Sequence, residues 1–461
     1  MNSRKELLEM SMGKLFIKLA IPAMVGMLAV GLYNMVDAIF VGQFVSGEGV
    51  GAIVLAYNVV LLNTAVAMLL AMGAMSVLSR AIGEKDQKTI DKLFGNVLIG
   101  VSVLSILLTI IVYNFANPML KFLGATDDIL VLGTRYLRII SLGFIFSALG
   151  PALNFLIRGE GQMKIAMKII ISGTLINIIL DPILIKFFGM GIEGAALATV
   201  IAQICVAIGD IIYFKSGKSV IKITKQSFKM SFDIMPKMLN VGVSGMVMQI
   251  MPAIQMSVMF KVLSDIGGND SIIIMGASYR VMMFAFITLW GIAQGVQPII
   301  GANYGAEQYG RVKEAMLTFT KISTCLAGAL WLCFMLFPKT ILSWFITDAS
   351  LAQIGIDRFR IFLGIFILYG IMSMSIIFFQ GIGKGSKAAI LVMGRQILFF
   401  IPIVLILPRI IGETGAWIAM PLGDLLTVIL SIFLIIKEFS ILNHKIKEHP
   451  ENNKLKEQYN Y

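Results

Sequence analysis

The sequence predicts an all-α integral membrane protein with twelve transmembrane helices in two six-helix bundles related by a parallel internal repeat. Three observations carry this: overall apolarity, evenly spaced hydrophobic stretches, and residues that recur at one long interval. The 461 residues are 58% hydrophobic and 14% charged, with a mean hydropathy of +0.88, too apolar for an ordinary soluble protein. A helix needs roughly 20 apolar residues to cross a hydrocarbon core ~30 Å thick. Such stretches fall at approximately 14–42, 50–80, 91–116, 131–157, 164–188, 192–214, 232–261, 272–302, 312–337, 353–380, 387–408 and 414–436.

Arg138, Gly159 and Gly161 recur as Arg360, Gly381 and Gly383, each 222 residues later, and Gly83 recurs as Gly305. Gly194, Ala195 and Ala198 return as Gly415, Ala416 and Ala419, 221 residues on. Ordered coincidences at two nearly equal offsets point to duplication. Each half has an even number of spans, so both copies insert the same way up, about an axis along the membrane normal. The expected divisions are an N-terminal lobe at 1–214, a linker at 215–231, a C-terminal lobe at 232–436 and a solvated tail at 437–461, rich in Lys, Glu and Asn.

Lys and Arg concentrate in alternate connections, beginning with the N-terminus, which places both termini in the cytoplasm. The net charge of +12 is spread over these loops rather than gathered on one surface with interleaved aromatics, so nucleic acid is not an expected partner. Cys205, Cys325 and Cys333 lie in apolar stretches without ligand-like spacing. The only histidines, His444 and His449, fall in the tail, which excludes histidine-based metal sites and dyads within the membrane. The charged N-terminus leads into a stretch too long for a signal-peptide core and reads as an uncleaved first span.

Ionisable residues at membrane depth cost several kcal/mol each, roughly 2.5–3.5 on the most lenient scale, and so demand a reason. Of Asp37 in the first span, Asn177 and Asp181 in the fifth, and Thr199 in the sixth, the residues Asp37, Asp181 and Thr199 count to about 8–10 Å below the outer surface at ~1.5 Å per residue. Asn177 precedes Asp181 by four residues, so both project from one helix face. Two carboxylates, an amide and a hydroxyl form an all-oxygen set suited to a hard monovalent cation, or to exchanging that ion for a proton. Asp181 precedes Pro182, which removes a backbone donor and can leave a carbonyl free. Pro22 is placed to bend the first span below Asp37. Asn154, in the fourth span, counts to a position nearer the cytoplasm.

The second half has no acid equivalent to Asp181, whose image falls on Ile403. It carries Arg280, Arg395 and Asp424 instead, and one arginine is expected to neutralise Asp424 in a structural ion pair. Gln249, Gln255, Gln294 and Gln297 could line a polar cavity or bond helices together. Arg280 and Arg395 are further candidates for that cavity. Thirty methionines and thirty phenylalanines suit lipid-facing filler or an adaptable apolar pocket.

The runs Pro22…Asn34-Met35-Val36-Asp37 with Val41-Gly42, Asn177-Ile178-Ile179-Leu180-Asp181-Pro182, and Gly191…Gly194-Ala195-Ala196 resemble the multidrug and toxic compound extrusion (MATE) family, most of all its MepA-like bacterial branch. The resemblance implies two six-helix lobes around a central cavity. It implies export of cationic lipophilic compounds in exchange for sodium ions or protons across a bacterial inner membrane. Asp37, Asn177, Asp181 and Thr199 would form the cation site, with Asn154 in the surrounding network. The acidic pair that marks the NorM-like branch is missing, the corresponding regions reading Met251-Pro252-Ala253 and Met372-Ser373-Met374. No cofactor is implied beyond the coupling ion, and a monomer is the expected state. Absence of a GxxxxGK[ST] loop argues against self-contained ATP-driven transport. A flippase for a lipid-linked sugar is the alternative, though it would favour a strongly basic cavity; an intramembrane enzyme lacks a catalytic set.

Overall fold

The computed structural model describes residues 2–45 and 47–448. Among these residues the chain is helical throughout, without strands. α1 (Asn2–Glu9) precedes the first span, which runs through α2 (Met12–Leu15), a π-helical turn at Phe16–Ala20 and α3 (Ile21–Phe44). α4 (Gly47–Glu84) and α5 (Gln87–Phe122) follow. The fourth span is a pair, α6 (Asp127–Leu142) and α7 (Phe144–Gly159), bent by 49°. α8 (Met163–Pro182), extended by a π turn at Ile183–Phe187, and α9 (Gly191–Lys215) complete the first lobe.

α10 (Met235–Gly305) has 71 residues. At ~1.5 Å per residue it would exceed three membrane thicknesses if straight, so it must cross twice. It doubles back at Gly268, whose φ of 65° glycine reaches without a Cβ penalty. The seventh and eighth spans are thus two helices that meet at Gly268, the two spans the sequence suggested, with helix extending through most of the residues between 261 and 272. α11 (Tyr309–Leu336) and the short α12 (Pro338–Ser343) come next. α13 (Ala349–Leu363) with α14 (Tyr369–Gly381) forms the tenth span. α15 (Gly385–Met393), a π turn at Gly394–Leu398 and α16 (Phe400–Ile411) form the eleventh, and α17 (Glu413–Glu448) the twelfth. Helix continues to Glu448, and Lys445 Nζ sits 5.5 and 5.2 Å from the ring centres of Tyr304 and Tyr309. Residues 449–461 lie outside the described residues.

The duplication is physical. Gly161 and Gly383 have φ of 78° and 79°, and the non-glycines Lys85 and Glu307, also 222 apart, have 61° and 58°. A Cβ on Gly83 would lie 2.1 Å from the Ala302 carbonyl oxygen, and one on Gly305 would lie 2.1 Å from that of Arg80. The equivalent glycines therefore let α4 and α10 meet backbone to backbone, each against the other's helix. This seam lies at the basic end of the molecule, beside Lys85, Lys88, Lys92 and the linker. Asn96 pins the linker there, its Nδ2 donating to the Ser231 carbonyl at 3.1 Å and its Oδ1 accepting from the Ser231 amide at 2.6 Å. Towards the other end α4 leaves Val54 and Tyr57 exposed.

Candidate functional site

A cavity of about 420 Å³ lies between the lobes, walled by α3, α4, α7, α8, α9 and α10. Met27, Met68, Met72, Met167 and Met248 provide much of its apolar wall, with Phe155 and Trp290. Thioethers repack around ligands of varied shape at little cost. Its polar lining is Arg158, Thr174, Asn177, Thr199, Gln203, Gln249 and Gln294.

The structure brings Asn177 and Thr199 to one wall. Asn177 Nδ2 donates to Asp181 Oδ1 at 3.3 Å, one helical turn away, and both residues are buried. Asn177 Oδ1 has no hydrogen-bond partner among the described residues. Thr199 Oγ1 donates to the Ala195 carbonyl at 3.1 Å, leaving its lone pairs available. Asp37 lies on α3, but its side chain is outside the described residues. Pro22 follows the π turn at Phe16–Ala20, where the Ile21 amide bonds back five residues to Phe16. Such a turn re-routes carbonyls that a proline cannot satisfy. Pro182 instead precedes a π turn, in which the Phe188 amide bonds to the Ile183 carbonyl at 3.0 Å.

Asn154 is wired to the cavity floor. Its Nδ2 donates to the Ala166 carbonyl at 3.0 Å and to Asp210 Oδ1 at 3.1 Å, while its Oδ1 accepts from Arg158 Nε at 3.0 Å. Arg158 Nη1 donates to Gln294 Oε1 on α10, so this network crosses from one lobe to the other. Sequence reading missed Arg158 and Asp210. Each falls within a few residues of a predicted span end, where charge is common; the i, i+4 pair Asn154–Arg158 was the available signal.

In the second lobe Arg395 Nε donates to Asp424 Oδ1 at 2.9 Å, and Tyr369 donates its hydroxyl to the other carboxylate oxygen. The guanidinium also lies 5.1 and 4.8 Å from the rings of Phe286 and Tyr369. Arg395, paired with Asp424, and exposed Arg280 lie outside the cavity lining, as does buried Gln255; Gln249 and Gln294 form part of it. Gln297 is buried with neither amide atom paired among the described residues.

Twelve crossings in two equivalent bundles, with a polar-floored cavity between them, define a multi-pass membrane transporter rather than an enzyme. The chain belongs to the MATE family: the MatE family model matches residues 22–183 and again 244–406, two copies beginning 222 residues apart. It is 25% identical over 426 residues to the multidrug export protein MepA of Staphylococcus aureus (strain N315), covering 92% of this chain and 93% of that one. It is 24% identical over 427 residues to MepA of Staphylococcus haemolyticus (strain JCSC1435), covering 93% and 94%. Among solved structures, a multidrug resistance MATE transporter of the MOP superfamily in an outward-facing conformation aligns with TM-score 0.90 at 26% identity, over 95% of this chain and 98% of that one. A MATE transporter in a bent conformation aligns with TM-score 0.90 at 26% identity, over 96% and 98%.

Proposed function

We propose that this protein is a secondary exporter of lipophilic small molecules, driven by Na+ or H+ bound in the N-terminal lobe at Asp37, Asn177, Asp181 and Thr199. One observation carries the coupling site: the amide oxygen of Asn177 is buried beside the Asp181 carboxylate without a protein donor among the described residues. Such an oxygen is costly unless a cation or water completes it. Asn154, wired to the floor network, would relay changes at that site to the contact between lobes. Pro22 and its π turn would supply the flexible point on α3. The basic end faces the cytoplasm of a bacterial inner membrane with both termini, and the lobes, 1–214 and 232–436, work as one monomer joined by 215–231. With that end sealed, the cavity faces outward. The family resemblance implies cationic substrates, yet the described lining offers a cation no carboxylate.

Coupling requires that the ion bind the two conformations with different affinity. In proteoliposomes, efflux of a lipophilic fluorescent dye should follow an imposed sodium or proton gradient and be lost in both Asp37→Asn and Asp181→Asn. Dye movement indifferent to gradient and to both substitutions would defeat the coupling site.

A further inference from the structure

We propose that Arg158 is the substrate-recognising group of the cavity: it receives the anionic group of a lipophilic acid (a carboxylate, sulfonate or phosphate ester), which displaces Gln294 and releases the bond between the lobes at the cavity floor. This rests on the reading that the cavity holds the transported compound. Arg158 is the only formally charged residue in the described lining. It is 4% exposed, so its charge is nearly removed from water. Of its three nitrogens, Nε serves Asn154 and Nη1 serves Gln294, while Nη2 has no acceptor among the described residues. The two acceptors it does have are both neutral amides.

The acid that balances the charge, Asp210, stands behind the lining and reaches Arg158 only through Asn154. A guanidinium offers a planar fork that a carboxylate, sulfonate or phosphate can engage in bidentate fashion, and charged acceptors bind it about twice as strongly as neutral ones. An incoming anion therefore competes well with the Gln294 amide for Nη1 while also satisfying Nη2. The Phe155 ring, 4.6 Å from the guanidinium carbon, keeps the fork flat beneath such a ligand. The methionines above accept the apolar body, and the volume suits a drug-sized ligand. Gln294 lies on α10, whose packing against α4 seals the basic end, so loss of its bond weakens the seal only when substrate is present.

The test uses full-length protein in phosphatidylcholine liposomes and three dansylamides that differ only in the end of a propyl arm: sulfonate, trimethylammonium or methyl. Energy transfer from tryptophan reports binding, and the part lost in Trp290→Phe is assigned to the cavity. Wild type should bind the sulfonate about tenfold more tightly than the ammonium probe. Arg158→Lys should keep that preference and Arg158→Gln should erase it, while the uncharged probe binds both variants as it binds wild type. Should Arg158→Gln fail to fold, Gln294→Leu serves instead: freeing Nη1 should tighten sulfonate binding several-fold. Preference for the ammonium probe in wild type, an undiminished sulfonate preference in Arg158→Gln, or unchanged binding in Gln294→Leu would each overturn the proposal. Phosphatidylglycerol added to the bilayer competes if the natural anion is a lipid headgroup and leaves binding unchanged if it is a free acid; both results uphold the anion site. Failure of gradient-driven efflux would defeat the exporter reading yet leave this charge preference intact.

Discussion

Glu160, at the C-terminus of α7 on the basic end, is 1% exposed. The Tyr213 hydroxyl donates to its Oε2 at 2.6 Å, Ser219 of the linker donates to Oε1, and the amides of Val220 and Ile221 also bond to it. Burial outweighs these donors and pushes its carboxyl up to about 7. Glu160 thus holds its proton more tightly when docked than when solvated. The stability it lends is present below the ordinary carboxylate range and is lost as pH rises through about 7. Proteolysis of the linker at 216–224 should therefore quicken between about pH 6 and about pH 8 in wild type, and Glu160→Gln should flatten that dependence. Equal pH dependence in the two proteins would rule Glu160 out as its source. At this scale the sequence was unevenly legible. Asp181 stood out because a carboxylate amid apolar residues has no cheap explanation. Arg158, Glu160 and Asp210 did not, because charges near span ends ordinarily meet water or headgroups, and only folding turned these three inward.

Elements were legible from their apolar lengths, and the span boundaries agree with the helices to within a few residues at most ends. The π turns at Phe16–Ala20, Ile183–Phe187 and Gly394–Leu398 were not legible, because the hydrophobic period is too coarse to register one extra residue in a turn. Nor was the tight meeting of α4 and α10 apparent, since a glycine in an apolar helix is unremarkable until its neighbour is known. A Cβ on Gly242 would lie 1.6 Å from the Leu69 carbonyl oxygen, so Gly242→Ala must push the two helices apart. Overpacking of this kind costs about 1–3 kcal/mol. Thermal melting in detergent should show a clear drop for Gly242→Ala. Gly276→Ala should leave the melt unchanged or raise it slightly, because nothing lies within 4 Å of that Cβ and alanine favours helix over glycine. Matching melts would mean that the seam yields freely.

For the molecule as a whole, the duplication announced the two-bundle plan in advance, and paired residues such as Gly83 and Gly305 do form equivalent contacts. What the repeat could not reveal is the device that ties the halves together at the basic end, because α1 precedes the first copy. Arg4 donates from Nε to the Ile82 carbonyl at 3.0 Å and from Nη2 to that of Gly83 at 3.0 Å, and Ser3 bonds to the Glu160 carbonyl. From the other lobe, Asn303 donates to the Leu7 carbonyl at 3.0 Å and Arg311 to that of Met10 at 2.7 Å. α1 is therefore fastened to both lobes, and opening this end must release one side. Removing the Arg311 bond should cost about 1–3 kcal/mol, since a hydrogen bond to a charged group is at stake, and each 1.4 kcal/mol moves a two-state population about tenfold. With the native cysteines replaced and a single one placed on the cavity wall as Met248→Cys, a membrane-impermeant thiol reagent applied at the basic end should label Arg311→Ala several-fold faster than its parent. Arg4→Ala, acting on the opposite lobe, should do the same, because either release frees the strap. Labelling rates unchanged in both would show that the seam between α4 and α10 alone sets the closed state, with α1 merely resting across it.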